Sequence, residues 1–356
     1  MYFFCQKIQF NFSSALKYNI AMKKIIKGTI AISALAAALP LAAYSEYRKT
    51  FYVRMAEPTG FIGHYFKVHP ALLHKEFCCL SDKGDLIRGL LLSPSEDPRA
   101  LIVMTHGYNM SCENYMPLAR RFTEAGFQVL MFDGIGVGMS GGDKIYGLPQ
   151  HILDMKTVLD AVQADPELSR LPLLLFGHSW GGYAACCVSA LSHYPLKGIL
   201  TCAAFRKSSS AMIPSIRKRY PLASPVFVTA AEVMERLLFG RVASLTSSEG
   251  LRQAGCPARL YHSRDDAVVG FEESFETTRR ELADEGDIGF IAMNGRNHDL
   301  YIPPDNDRRQ REILKELRSA DGPAKSALTE ELWELLSATD NSLADEFVSF
   351  FNSCIK

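Results

Sequence analysis

A serine stands between two glycines near the middle of the chain, in the pentapeptide Gly177-His178-Ser179-Trp180-Gly181. The pattern G-x-S-x-G is typical of a sharp strand-to-helix turn, where side chains two residues before or after the serine would collide with neighbouring backbone. Such a turn presents the hydroxyl of Ser179 at the N-terminal end of a helix, whose partial positive charge stabilises a developing anion. The pattern predicts a nucleophilic serine, but it also fits a serine in a tight turn without a catalytic role.

A serine hydroxyl needs a general base within hydrogen-bonding distance and an acid that holds this base in the right tautomer. His298 is the candidate base, because it alone of the nine histidines follows the last predicted strand in a polar loop that contains glycine. The candidate acids are Asp265 and Asp266, which follow the preceding strand. The order serine, aspartate, histidine along the chain is the order that a nucleophile on this kind of turn requires.

Two backbone N–H groups are candidates for binding the oxyanion of a tetrahedral intermediate. One belongs to Trp180, directly after the serine, and the other to Tyr108, which follows His106-Gly107 at the end of a predicted strand. Each donor of this kind lowers a reaction barrier by about 2.7 to 4 kcal/mol. Gly107 allows a close approach of the chain, whereas His106 is interpreted as structural and the side chain of His178 is expected to point away from the serine.

Positioning these residues requires a framework, and the sequence predicts a series of strands with an intervening hairpin turn at Asp82-Lys83-Gly84. From about residue 100 onward, short apolar strands alternate with helices near 114–125 and 152–164, which indicates an α/β fold with a mostly parallel central sheet flanked by helices. The loops that follow parallel strands share one edge of the sheet, so the candidate residues should meet there. The predicted strands are 74–81, 85–92, 100–105, 128–133, 171–176, 197–205, 258–262 and 288–293.

Residues from 206 to about 248 interrupt this alternation with basic and apolar residues that lack a strand pattern. An insertion at the carboxyl end of a parallel strand lies where ligands bind. We therefore predict a small helical lid over Ser179; the alternative is a surface excursion that does not contact substrate. Further helices are predicted near 308–317, 330–336 and 343–351.

The first 45 residues predict an N-terminal leader or membrane anchor. Three lysines at positions 23, 24 and 27 precede the uncharged run 28–45, whose length lies between that of a signal peptide core and that of a minimal membrane span. Met22 fits the start of such a leader, so residues 1–21 could be an extension. We expect secretion or membrane association through residues 23–45, and hence a location outside the cytoplasm. Residues 46–73 are then a linker and lead-in to a main domain, 74–356.

Composition argues against several classes of partner. The 39 basic and 39 acidic residues balance, so nothing indicates a nucleic-acid partner.

Nine cysteines, mostly inside apolar runs and without a C-x-x-C, indicate buried thiols rather than disulfides or a metal site. Residues 136–141 match G-x-G-x-x-G, but Gly142, Gly147 and Pro149 prolong the loop where a dinucleotide site needs a helix. We therefore predict no cofactor and no metal.

Taken together, these features resemble the α/β-hydrolase superfamily and, within it, the monoacylglycerol-lipase-like and serine-aminopeptidase-like branch. The resemblance covers about residues 74–356. In this branch the acid stands just before an apolar pair, which implies Asp266 rather than Asp265. The resemblance also implies that the glycine-rich residues 136–141 form a structural loop. The oxyanion loop at Tyr108-Asn109 is poorer in glycine than this branch usually has. The resemblance is carried by His106-Gly107, Asp133-Gly134-Ile135-Gly136-Val137-Gly138-Met139-Ser140, the turn at Ser179, Asp266 before Val268-Val269, and Asn297-His298-Asp299.

The residues and the resemblance together lead to the hypothesis of a serine hydrolase that cleaves carboxylic esters, lipid-like or of medium acyl length, through an acyl-enzyme on Ser179. The expected partner is a small-molecule ester or a short peptide. A peptidase of the aminopeptidase type is an alternative, although it would need acidic residues in the pocket to hold a substrate amine, and the predicted lid is basic. A non-catalytic binding module on the same fold is a third hypothesis, which the presence of Ser179, Asp266 and His298 disfavours.

Overall fold

The computed structural model describes residues 40–356, together with 17, 18, 22–24, 26, 27, 29 and 38. The predicted leader and the proposed extension before Met22 therefore lie mostly outside the described residues. Among the residues that are described, no helix combines the length and the apolar character needed to cross a bilayer. The leader and the location outside the cytoplasm stay predictions.

An eight-stranded sheet forms the centre of the described chain, in the order β1-β2-β4-β3-β5-β6-β7-β8. β1 pairs antiparallel with β2, and β2 pairs antiparallel with β4, whereas all the other neighbours are parallel. The predicted mostly parallel sheet is thus confirmed. The strands are β1 (Leu73–Leu80), β2 (Leu86–Ser93), β3 (Leu101–Thr105), β4 (Gln128–Phe132), β5 (Leu173–His178), β6 (Leu196–Cys202), β7 (Ala258–Ser263) and β8 (Ile288–Met293).

Helices cover both faces of this sheet. Alternate residues of β3 show the division, because Leu101 and Val103 belong to one apolar core and Ile102 and Met104 to another. A side-chain period of two sends neighbouring residues of a strand to opposite faces, so a sheet covered on both sides has two cores. The helices are α1 (Phe61–Val68), α2 (Met116–Glu124), α3 (Gln150–Ala164), α4 (Trp180–Cys187), α5 (Ser208–Arg219), α6 (Ser224–Phe239), α7 (Ser247–Ala254), α8 (Thr277–Glu281), α9 (Pro304–Glu316), α10 (Gly322–Leu336) and α11 (Asn341–Cys354).

At two strands the predicted C-terminal end differs from the observed one by more than one residue. The serine-bearing strand was expected to end at residue 176, but β5 continues through Gly177 and His178, because these two residues pair with Thr201 and Cys202 of β6. The next strand was expected to reach residue 205 and ends at Cys202 instead. Ala203 then takes a positive φ of 52°, a conformation that does not continue a strand.

The segment after β6 is helical, as the sequence indicates. It contains α5 and α6, followed by a short turn at Gly240–Ser244. That this insertion acts as a lid stays a prediction.

Residues 40–51 are also helical. Tyr47 and Phe51 from this helix, and Met55 after it, are buried in the same apolar core as α3 and α4. The domain boundary predicted at residue 73 stays a prediction, although the chain already packs on the core of the sheet well before that position.

Candidate active site

The serine turn has the strained geometry that its glycines predict. Ser179 lies between β5 and α4 with φ 52° and ψ −111°, a positive φ that few residues other than glycine adopt. A Cβ atom on Gly177 would lie 2.4 Å from the carbonyl oxygen of Gly181, and one on Gly181 would lie 2.4 Å from that of Thr105. Both positions therefore require glycine, and this close packing fixes the serine at the carboxyl edge of the sheet.

The structure brings the predicted serine, histidine and aspartate into one line of hydrogen bonds. His298 Nε2 lies 2.9 Å from Ser179 Oγ, and His298 Nδ1 lies 2.8 Å from Asp266 Oδ2. The serine and the histidine residues are both buried. With the proton on Nδ1 and donated to the carboxylate, Nε2 is left free to accept the proton of the serine hydroxyl. The catalytic roles of these residues stay predictions, but their geometry suits proton transfer.

Asp266, and not its neighbour Asp265, contacts the histidine. The Oδ1 atom of Asp266 accepts hydrogen bonds from the N–H groups of Val268 at 2.8 Å and Val269 at 2.9 Å, which fixes the carboxylate and leaves Oδ2 for the histidine. Asp265 is exposed and accepts a hydrogen bond from the backbone N–H of Gly295 instead. The acid before an apolar pair is thus the one held by the backbone of that pair.

The electrostatics of this pair favour its charged forms. Burial by itself would raise the pKa of Asp266, but hydrogen bonds from His262 and His298 outweigh it and hold the pKa well below the usual range. Burial likewise would lower the pKa of His298, yet the hydrogen bond and the charge of Asp266 raise it. A base with a raised pKa accepts a proton from a serine more readily. The Asp266 carboxylate therefore stabilises the protonated, imidazolium form of His298.

The two candidate oxyanion donors lie side by side. Trp180 is the first residue of α4, and Tyr108 lies in the loop after β3; the two rings are 5.8 Å apart. The start of α4 also touches this loop directly, because a Cβ on Gly181 would lie 2.8 Å from the carbonyl oxygen of His106. Neither the Trp180 nor the Tyr108 N–H has an acceptor within the part of the chain that the structure describes. Both groups are thus available to a substrate oxygen.

Tyr115, which belongs to no sequence motif, supports this loop together with His178. Tyr115 Oη accepts a hydrogen bond from Gly107 N at 2.9 Å and lies 2.8 Å from Nδ1 of His178. The other ring nitrogen of His178 lies 3.2 Å from the carbonyl oxygen of His298. His178 therefore points away from the serine, as expected, but it connects the oxyanion loop to the backbone of the candidate base. The position of His178 directly before Ser179 was the sequence feature that could have indicated this contact. Tyr115 belongs to no motif, so its role could not be predicted.

The glycine run forms a closed structural loop. Asp133 is fully buried and accepts hydrogen bonds from Cys112 N at 2.7 Å and Met139 N at 2.8 Å. A Cβ on Gly138 would lie 2.2 Å from the Asp133 carboxylate. The hydroxyl of Ser140 donates to the carbonyl oxygen of Asp133 at 2.5 Å. The residue types of this run are therefore explained by its own packing.

Cysteines and histidines also raise the question of a metal. The described cysteines are all free, and five of them, Cys112, Cys186, Cys187, Cys202 and Cys256, are buried. Ligand atoms of His178, His298 and Asp299 lie within 4.8 Å of one another. Both ring nitrogens of His298, however, already contact Ser179 and Asp266. This cluster therefore fits the candidate proton-transfer site better than a metal centre.

A cavity of about 280 Å³ opens beside the serine. Its walls are mostly apolar, and they include residues of α5 and α6, which places the inserted segment over the site. Substrate pockets of this kind bind through apolar contacts and are oriented by a few polar groups. The lining residues are Ala43, Glu46, Tyr47, Thr50, Phe51, Tyr108, Leu148, Ser179, Phe205, Ala211, Met212, Ser215, Ile216, Arg219, Tyr220, Phe227, Ala231, Val268 and Val269.

Known sequences match parts of this chain. Residues 96–247 match the family described as serine aminopeptidase, S33. A monoacylglycerol lipase from Mycolicibacterium smegmatis is 31% identical over 153 residues, which is 42% of this chain and 49% of that protein. A monoglyceride lipase from Mus musculus is 32% identical over 100 residues, which is 27% of this chain and 32% of that protein. The chain thus spans at most about half the length of these relatives.

Solved structures are similar over a larger part of the chain. An esterase from Pyrococcus furiosus superposes with a TM-score of 0.54 at 18% identity, covering 76% of this chain and 100% of the other. A carboxyl esterase from Bacillus coagulans gives a TM-score of 0.51 at 17% identity, covering 80% and 99%. At this identity the likeness concerns the fold alone. The chain therefore has the α/β-hydrolase fold, and it is similar to the branch of that superfamily that includes the S33 serine aminopeptidases and the monoacylglycerol lipases.

Proposed function

We propose that this chain is a serine hydrolase that cleaves carboxylic esters through an acyl-enzyme on Ser179. The observation that carries the proposal is the continuous line of hydrogen bonds from Ser179 through His298 to Asp266, at 2.9 and 2.8 Å, beside an apolar cavity. A serine buried in a tight turn for structural reasons would not need a histidine and a carboxylate in this arrangement.

The proposed reaction proceeds in two halves. As Ser179 Oγ attacks the ester carbonyl, its proton passes to His298 Nε2, and the N–H groups of Trp180 and Tyr108 bind the oxyanion. The intermediate then collapses: the C–O bond to the alcohol breaks, and the proton on His298 goes to the departing oxygen. In the second half a water molecule gives a proton to His298 Nε2 as its oxygen attacks the acyl carbonyl. The bond between the acyl carbon and Ser179 Oγ then breaks, the proton on His298 returns to Oγ, and the carboxylic acid is released.

The charge of the cavity favours esters over peptides with a free N-terminus. A peptidase of the aminopeptidase type needs a carboxylate that is free to bind the substrate ammonium group. Glu46 is the acidic side chain among the residues that line the cavity, and it is paired with Lys49 at 3.0 Å and Arg219 at 3.2 Å. The apolar lining supports an acyl chain as the group that enters. The sequence relatives that are monoacylglycerol or monoglyceride lipases support an ester substrate, although the matching family is described as serine aminopeptidase.

Activity measurements can separate these functions. We expect turnover of p-nitrophenyl esters and little turnover of amino-acid anilides, and we expect a fluorophosphonate probe to label Ser179, identified by mass spectrometry. Ser179→Ala should lower ester turnover by about 10⁴-fold or more and abolish labelling. Ser189→Ala is the matched control, because Ser189 is a buried serine outside the site whose Oγ has no partner among the described residues. Preference for anilides would favour the peptidase, and no labelling would favour the binding module.

A further inference from the structure

The helical residues 40–51 form one wall of the cavity beside Ser179. Ala43, Tyr47 and Phe51 are each only 4–5% exposed and recur every four residues, so they lie on one face of the helix. All three line the cavity. The segment that precedes the sheet is thus part of the site and not only a connection to it.

Specific hydrogen bonds fix this wall in place. Tyr47 Oη donates to the carbonyl oxygen of Tyr146 at 2.9 Å and lies 3.4 Å from the buried carboxyl group of Glu235 on α6. Just beyond the helix, the guanidinium group of Arg54 donates to the carbonyl oxygens of Gly138 at 2.7 Å and Gly142 at 2.6 Å. Contacts from the middle of the helix and from just beyond its C-terminal end hold it against the domain, which a pocket wall requires if it is to discriminate between substrates.

The same segment reaches the oxyanion loop. Tyr108 Oη donates to the carbonyl oxygen of Thr50 at 2.6 Å, and the ring of Phe51 lies 5.9 Å from that of Tyr108. The ring of Tyr108 in turn lies 5.8 Å from that of Trp180, next to the serine. Phe51 is therefore two ring contacts away from the residue that follows the nucleophile. Phe51 and Ser179 also line the same cavity, so the Phe51 side chain fills volume that an acyl group on Ser179 would otherwise reach.

We propose that residues 40–51 form the specificity-determining wall of the acyl pocket and that Phe51 sets the length of the acyl chain accepted. This inference rests on the proposed ester hydrolysis. A large aromatic side chain that lines a closed wall excludes atoms from the volume it fills, and each methylene gained or lost in such a pocket changes selectivity by roughly tenfold or more.

The test is an acyl-length series of p-nitrophenyl esters, from butyrate to dodecanoate, in which the leaving group stays constant. For Phe51→Ala we expect the ratio of kcat/KM for dodecanoate to that for butyrate to rise by roughly tenfold. For Phe51→Trp, which reduces the space, the ratio should fall. Opposite shifts from two substitutions at one position cannot result from general loss of folding, so the pair keeps the test valid if Phe51→Ala is destabilised.

Tyr44→Ala is the control, because Tyr44 is an aromatic residue of the same helix that is 37% exposed and does not line the cavity. This variant should keep the wild-type ratio. Active Phe51 variants whose ratios both stay within about twofold of wild type would overturn the proposal while leaving ester hydrolysis intact. A wild-type chain that turns over no ester, and whose Ser179 is not labelled by the fluorophosphonate, would overturn both proposals.

Discussion

Replacing Asp266 by asparagine tests the proposed catalytic arrangement more specifically than removing the serine. The two oxygens of this carboxylate have different partners: Oδ1 accepts from the N–H groups of Val268 and Val269, and Oδ2 faces Nδ1 of His298. An asparagine amide group placed at Oδ1 would oppose two N–H donors. The amide nitrogen must therefore take the Oδ2 position and donate towards His298.

The consequence follows from the tautomers of histidine. When His298 Nδ1 accepts a hydrogen bond from an amide, its proton moves to Nε2, and Nε2 can no longer accept the proton of Ser179. A base held in this wrong tautomer loses about 10⁴-fold in kcat, whereas substrate binding changes little. We therefore expect Asp266→Asn to show a kcat about 10⁴-fold lower than that of the wild type, with nearly unchanged KM, in steady-state hydrolysis of p-nitrophenyl butyrate.

The pH dependence gives a second readout. Activity requires neutral His298, so kcat/KM should fall as the pH drops through the pKa of this histidine, which the wild type holds above its ordinary value. Without the Asp266 carboxylate that pKa should fall, and the acidic limb of the profile should move to lower pH. Asp265→Asn is the matched control, because Asp265 is exposed and does not contact the histidine. An Asp266→Asn variant with more than a tenth of wild-type kcat, or an equal loss in the control, would refute the assignment of the acid.

Three further predictions address other parts of the site. Gly177→Ala should abolish soluble expression or activity, because its Cβ would lie 2.4 Å from a backbone carbonyl oxygen. Gly63→Ala is the control and should have little effect, because its Cβ would have no atom within 4 Å. The melting temperature and the rate of ester turnover should be measured for each variant. Tyr108→Phe removes the hydrogen bond from Tyr108 Oη to the carbonyl oxygen of Thr50 in the N-terminal helix. We expect kcat to fall about fivefold with KM unchanged, because one net hydrogen bond contributes roughly this much. An unchanged kcat would contradict this prediction. Urea unfolding should show nearly constant stability between about pH 6.5 and pH 4.5, because opposing terms cancel. As the pH falls, each of three buried histidines with a lowered folded pKa loses up to about 1.4 kcal/mol of stability per pH unit, and each of three buried carboxyl groups with a raised folded pKa, Asp133, Asp154 and Glu235, gains up to about the same amount. The pKa of Asp154 is raised to about 8 and that of Glu235 to about 7. Burial lowers the pKa of His106 and His178 to about 4 and that of His151 to about 3.

Much of the framework could be predicted from the sequence because its signals are local. Apolar runs bounded by turn residues located the eight strands, and the alternation with helices gave the parallel arrangement. The parallel arrangement then implied that loops after β5, β7 and β8 meet at one edge. Serine, aspartate and histidine are far apart in the chain but come together for that reason, and no knowledge of individual contacts was needed.

The contacts that refine the site could not be predicted in the same way. Choosing Asp266 over Asp265 depended on resemblance, since composition treats the two aspartates alike; the structure supplies the physical reason in two backbone N–H groups. Tyr115 and the stacking of His151 on Trp180, with ring centroids 4.3 Å apart, join residues distant in sequence that follow no periodic pattern. Such pairs are determined by how helices pack on the sheet.

The N-terminal helix shows most clearly how one pattern can carry two meanings. Ala43 lies in the predicted leader, because an uncharged run after lysines is typical of export signals, whereas Tyr47 and Phe51 lie in the predicted linker and lead-in. Their spacing of four residues also describes an amphipathic helix with one buried face, and that is the face that lines the cavity. If residues 40–51 form a wall of the acyl pocket, as proposed, cleavage within them would remove residues that line the cavity. Proteolytic processing that leaves the proposed acyl pocket intact must therefore occur before Ala43.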